Sequence, residues 1–247
     1  MGTIIAIGGG ELRDAETRTI DAYIVERTGK SRPHALFIPT ASGDASGYAD
    51  TFHVQYGDQL GCTTDVLYLL QQRPASDVIA DKIAAADLIY VGGGNTLRMM
   101  KLWRRLGVDA LLNQAHERGT VLSGLSAGAI CWFAGGHSDS RRFAKEDGDD
   151  WGYIRVSGLG LVDALYCPHI DAEDRLPHFQ TFMAKRGGVG IGCDDCCAIE
   201  VTDQQWRLIT SRHGAKAYRV TRRRGQVMTD ILQPEPHYRP LADLLAH

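Results

Sequence analysis

The chain has 247 residues, 44% of them hydrophobic and 23% charged, with a formal net charge of −3. That length can bury a sizeable core, and the near-balanced charge gives no electrostatic case for nucleic acid or a membrane surface as partner. It shows no apolar run of the ~18 residues a membrane span needs and no basic segment ahead of an apolar core at its start, so a cytoplasmic location is expected.

Thr3-Ile4-Ile5-Ala6-Ile7 is an apolar strand running into Gly8-Gly9-Gly10. A helix over 14–27 follows, with Ile20, Tyr23 and Ile24 on one face and Gly29 beyond its end. His34 to Ile38 forms a second strand closed by Pro39. After the loop 42–47, Tyr48, Phe52 and Tyr56 mark a helix. Residues 65–70 are a third strand, 77–85 a helix and 88–91 a fourth strand, which runs into Gly92-Gly93-Gly94-Asn95-Thr96. The helical segment from Leu97 to Met100 and a helix over 108–118 lead to the apolar strand before Ser126. Residues 138–150 are polar and read as a loop near the site. A strand then leads through Tyr166-Cys167-Pro168 to His169, and a helix follows with Leu176, Phe179 and Met183 on one face and Pro177 near its start. Residues 189–192, 198–201, 205–209 and 217–220 read as a closing set of short antiparallel strands, and Arg222-Arg223-Arg224-Gly225 as a solvated hairpin turn. Strands alternating with helices predict a three-layer α/β fold with a mostly parallel sheet flanked by helices and a few antiparallel strands toward the C-terminus. No repeat or linker interrupts residues 1–247, which are taken as one domain.

In such folds functional loops lie at the carboxyl ends of the strands, where both glycine turns and Ser126 fall. Gly124-Leu125-Ser126-Ala127-Gly128 joins a strand to a helical segment, the pattern of a nucleophile elbow. The helix start behind it would aim N–H groups and positive dipole at a developing oxyanion. Neither glycine turn has the spacing of a phosphate cradle, so no nucleotide or other cofactor is expected. Six cysteines sit in or beside apolar stretches, as buried thiols do. Cys193-Asp194-Asp195-Cys196-Cys197 lacks a second ligand pair for zinc, and no metal is expected. A serine needs a base, and of nine histidines His169 is the one an apolar strand delivers to the functional end. A carboxylate should orient it, and Asp194, Asp195 and Asp139 are the candidates.

Val91-Gly92-Gly93-Gly94-Asn95-Thr96, Gly124-Leu125-Ser126-Ala127-Gly128-Ala129, Cys167-Pro168-His169 and Gly190-Ile191-Gly192-Cys193-Asp194-Asp195 occur in this order. Together they resemble the dipeptidase E/cyanophycinase family of serine peptidases, relatives of the class I glutamine amidotransferases with a flavodoxin-like layering. The resemblance implies Ser126 as nucleophile, His169 as base, and an oxyanion hole from the N–H groups of Gly93 or Gly94 and Ala127. Asp195 stands where relatives often carry Glu, and is favoured as the acid; Asp139 resembles an acid found after the elbow and is the alternative. The resemblance also implies a short-peptide substrate with an N-terminal aspartate, cleaved by an exopeptidase. A cyanophycinase-like isopeptide hydrolase and a non-catalytic small-molecule-binding domain are the other readings. Arginine suits a substrate carboxylate, so Arg175 is the first binding candidate, with Arg98, Arg141 and Asn95 beside it. A homodimer is left open as the assembly.

Overall fold

The computed structural model describes residues 2–141, 152–172 and 174–246. Its main sheet has eight strands. Five are parallel and side by side: β1 (Ile4–Ile7), β5 (Val121–Leu125), β4 (Leu88–Val91), β2 (His34–Ile38) and β3 (Thr63–Val66). On the other flank of β1, β10 (Cys197–Thr202), β11 (Gln205–Thr210) and the short β14 (Arg239–Pro240) continue it antiparallel. Every residue of β1, β4 and β5 is buried, which is why these strands are continuous apolar runs rather than alternating ones.

The two faces of this sheet carry different helices. Ile5, Ile7, Phe37 and Tyr90 pack with Ile20 and Ile24 of α1 (Arg18–Glu26) and with Phe52 of α2 (Ser46–Phe52). Ile4, Ala6, Ile89 and Leu122 pack on the opposite side, with Ile83 of α3 (Ser76–Ala85), Trp103 of α4 (Thr96–Leu106) and Leu112 of α5 (Val108–Glu117). The helices expected from periodicity are therefore present, with one helix and one strand differing in their bounds. Helix α1 begins at Arg18 because residues 11–17 fold into turns, with Ala15 at φ 56°. Strand β3 ends at Val66, paired with Phe37, rather than running on to Leu70.

A second sheet of six strands was not anticipated. Its parallel centre is β6 (Phe133–Ser138), β8 (Val162–Cys167) and β9 (Val189–Cys193), flanked antiparallel by β7 (Ile154–Val156) on one side and by β12 (Ala217–Arg223) and β13 (Gln226–Leu232) on the other. Strand β9 was expected in the antiparallel set. It runs parallel to β8 because helix α7 (Arg175–Arg186) crosses over between them. The Arg222–Gly225 cluster is the exposed turn of the β12–β13 hairpin, as read from sequence. Of the polar loop expected over 138–150, Ser138 ends β6 and residues from 142 on lie outside the described residues. Tyr166 ties the two sheets together by donating its hydroxyl to the Ala6 carbonyl (3.0 Å). Among the described residues no helix is long and apolar enough to cross a membrane.

One buried carboxyl makes this core sensitive to pH. Asp21 of α1 is 2% exposed and accepts from Thr17 Oγ1 (2.7 Å) and Tyr56 Oη (2.8 Å). Burial pushes it up from 3.8 to about 6, against the pull of those two hydrogen bonds. The native state then holds this proton up to about pH 6, whereas the unfolded chain releases it near 3.8. The folded state binds more protons across that window, so stability falls as pH rises through it. A displacement of that size corresponds to about 3 kcal/mol. Asp21→Asn should flatten the decline, seen as urea midpoints that no longer drop between about pH 4 and 6. An unchanged slope in the variant would assign it to other groups.

Candidate active site

Strand β5 ends at Leu125 and the chain turns at Ser126, whose φ of 56° and ψ of −108° lie in a region that costs a non-glycine residue strain. The flanking glycines are demanded by packing. A Cβ on Gly124 would stand 2.4 Å from the Gly128 carbonyl oxygen, and one on Gly128 would stand 2.0 Å from that of Val91. Ser126 N–H donates to the Ile7 carbonyl (3.1 Å), and the Ser126 carbonyl accepts from Ala129 and Ile130. The helix expected after the elbow is a single turn, α6 (Ala127–Ile130). A single turn adds little macrodipole, so local N–H groups are what remain to meet negative charge.

His169 arrives from β8 through Cys167 and Pro168. It adopts φ 51° and is held by donation of its N–H to the Gly8 carbonyl (3.2 Å). Its ring Nδ1 lies 2.6 Å from Asp195 Oδ1. Asp195 sits between β9 and β10, bridged to Gly9 at the end of β1. Its N–H donates to Asp171 Oδ1 (2.9 Å), and Arg212 Nη2 spans Asp171 Oδ2 (2.8 Å) and the Asp195 carbonyl (3.0 Å). Burial works to raise the Asp195 carboxyl. The hydrogen bond from His169 and the charges of His169, Arg212 and Arg175 outweigh it, so the group is held below its ordinary value. An ionised Asp195 can only accept, which puts the hydrogen on Nδ1 and leaves Nε2 as the basic nitrogen.

Ser126, His169 and Asp195 line one cleft of about 570 Å³, together with Gly93, Gly94 and Leu125. The other wall comprises Gly10 to Arg13, Glu16, Ala45, Gly47, Tyr48 and Thr51. Gly93 is so near the elbow that a Cβ there would lie 3.4 Å from the Ser126 Cβ. Gly94 has φ 133° and no room for a side chain against Ala41.

The acid candidates separate. Asp195 carries the contact to His169, while Asp139 lies beyond β6, where its charge is felt by Arg175 and Cys167, and does not line the cleft. Asp194, 4% exposed, accepts from the Lys216 N–H instead.

None of the four residues expected to bind substrate lines the cleft. Arg175 does begin α7, but it turns inward. It is 3% exposed, donates to the His137 carbonyl (3.0 Å) and lies over the Tyr153 ring (4.4 Å). Asn95 is the N-cap of α4, accepting from the Arg98 N–H (2.9 Å), and Arg98 Nη2 donates to the Ala41 carbonyl. Asn95, Arg98 and Arg141 line a different groove, with Leu97, Lys101 and Leu102.

Sequence reasoning missed Gly9, Asp171, Arg212 and Tyr48. The first was read only as part of a glycine turn, although a Cβ there would stand 1.9 Å from Asp195 Oδ1 and 2.3 Å from His169 Nδ1. Tyr48 was read as a helix-face aromatic. It lines the cleft with Gly93, and burial pushes its phenol up to about 12, keeping it protonated. The cysteines are free and buried, and among the described residues no group of three or more His, Cys, Asp or Glu is arranged to hold a metal ion.

The model of peptidase family S51 matches residues 4–209. YgaJ, an uncharacterized peptidase of Bacillus subtilis (strain 168), is 36% identical over 224 residues, covering 89% of this chain and 92% of its own. An uncharacterized peptidase of Pasteurella multocida (strain Pm70) is 36% identical over 136 residues, 54% of this chain and 63% of its own. Among solved structures, a peptidase from an acI-B1 actinobacterium superposes with a TM-score of 0.71 over 97% of each chain, at 19% identity. That last likeness is one of fold.

Proposed function

This chain belongs to peptidase family S51, and from that membership and its cleft we propose a serine peptidase acting on short peptides. Ser126 is the nucleophile, His169 the base and Asp195 the acid that orients it. The observation that carries the reading is the 2.6 Å contact from Asp195 to His169 Nδ1 in the cleft that also holds Ser126. It supports a base with Nε2 available to a hydroxyl that is otherwise a weak nucleophile.

Ser126 Oγ attacks the peptide carbonyl carbon as its proton passes to His169 Nε2. The carbonyl oxygen takes the electron pair and is met by N–H groups of Gly93 or Gly94 and Ala127. Collapse breaks the C–N bond, and the His169 proton leaves with the amine. Water, deprotonated by His169, then hydrolyses the acyl-enzyme and restores Ser126. A cleft of this volume suits a ligand of small-molecule size, which favours a peptide of a few residues over a polymer.

The finer part of the proposal is a preference for a free N-terminal aspartate, which rests on the motif resemblance. A panel of di- and tripeptides with aspartate, asparagine or alanine first, each free and N-acetylated, run beside a β-linked aspartyl–arginine polymer, tests it. Free aspartyl peptides should turn over fastest. Efficient cleavage of acetylated peptides would sink the exopeptidase reading. Preference for a β-linked aspartyl–arginine polymer would replace it with a cyanophycinase-like one.

A further inference from the structure

The cleft is unevenly charged. Arg13 is the one arginine or lysine lining it among the described residues, against the carboxylates of Glu11, Glu16 and Asp195. A peptide carboxylate entering there meets three like charges and, in Arg13, one opposite charge. Arg13 is exposed and makes no hydrogen bond or ion pair among the described residues. It also lines an adjoining depression with Asp50, Thr51 and Val54.

The backbone beneath it is fixed. Leu12 beside it is 3% exposed, Ala15 N–H returns to the Leu12 carbonyl (3.1 Å), and Glu11 N–H donates to Glu16 Oε2 (2.8 Å). A planar guanidinium on a braced turn, with no partner among the described residues, can take a carboxylate bidentately. The other arginines considered are engaged or elsewhere: Arg175 is buried against His137 and Tyr153, and Arg98 and Arg141 line the separate groove.

We propose that Arg13 is the specificity residue of this cleft, receiving a carboxylate of the bound peptide, while Glu11 and Glu16 favour its ammonium group. The inference rests on the peptidase reading above. The carboxylate has two sources, an acidic first side chain or the peptide C-terminus, and the substrates distinguish them.

The test uses aspartyl-leucine, asparaginyl-leucine and aspartyl-leucinamide with the full chain and its Arg13→Met and Arg13→Lys variants. Arg13→Met should lower kcat/KM for aspartyl-leucine at least about 10-fold, as loss of a charged hydrogen bond does, and mainly through KM. Arg13→Lys should recover part of it. The loss should vanish on asparaginyl-leucine if the side chain is held, or on aspartyl-leucinamide if the C-terminus is. Equal losses on all three, or none on any, would overturn the assignment. Calorimetric binding of aspartyl-leucine to Ser126→Ala protein, with and without Arg13→Met, reads the same contact without turnover. Binding that Arg13→Met weakens by a similar factor upholds the inference even if the unmodified enzyme cleaves none of these peptides, a result that would sink the peptidase reading alone. Binding that ignores Arg13, or is absent, overturns the inference.

Discussion

Ser126→Ala should lower turnover by about 10⁴- to 10⁶-fold, the range seen when a triad serine is removed, and leave thermal stability nearly unchanged. Both halves follow from the elbow. No other hydroxyl occupies that turn, so the acyl-enzyme cannot form. Alanine inherits the same strained φ of 56°, and the backbone bonds from Ser126 to Ile7, Ala129 and Ile130 do not involve its side chain. Ser126→Gly separates the two effects. Glycine tolerates this conformation, so that variant should be equally inactive yet more stable by about 1 kcal/mol, the low end of the strain such a residue carries. A folded Ser126→Ala enzyme with near-normal rates on a peptide that the unmodified chain cleaves would refute the nucleophile.

The parts of the fold legible in sequence are those where one physical requirement dominates. Strands β1, β4 and β5 are buried on both faces and could hardly be anything but apolar runs. Strand β6 was hidden because Gly135 and Gly136 look unlike strand residues. They are there for close approach: a Cβ would stand 2.7 Å from the Val156 carbonyl oxygen at the first and 2.6 Å from that of Tyr166 at the second. Glu200 gave no warning either. It lies fully buried in an apolar stretch because Tyr23 and Arg27 at the end of α1, Arg207 of β11 and Tyr238 converge on it.

The site divides in the same way. Ser126 and His169 could be put forward as candidates because local pattern delivers each to a strand end, and the structure brings both into one cleft. Choosing among Asp194, Asp195 and Asp139 needed a distance between segments. It is set by the bridge from Gly9 to Asp195, which no spacing along the chain encodes. Arg175 misled for a related reason. Its position six residues after His169 was compatible with either face of the helix start, and the Tyr153 ring and the His137 carbonyl hold it inward.

Asp195→Asn should reduce turnover by about 10⁴-fold while the fold persists, the cost of presenting the histidine in the wrong tautomer. The backbone of residue 195 stays anchored by Asp171 and Arg212, so an amide can occupy the same place. It no longer supplies a charge to stabilise the imidazolium. Asp139→Asn should do far less, since that residue has no contact with His169. The sign of the pH effect is fixed by the direction of the Asp195 shift. A carboxyl held below its ordinary value contributes stability above the unfolded value and loses it as pH falls through the folded one. Asp195→Asn should therefore remove that component of acid destabilisation, modestly, because the side chain is 36% exposed. Gly9→Ala reaches the same pair by a steric route. A methyl group 1.9 Å from Asp195 Oδ1 must push the carboxylate off the histidine, so its activity should fall at least about 100-fold, as small misplacements of catalytic groups do. If Asp139→Asn proved the more damaging change, and Gly9→Ala left turnover intact, the orienting role would pass to Asp139.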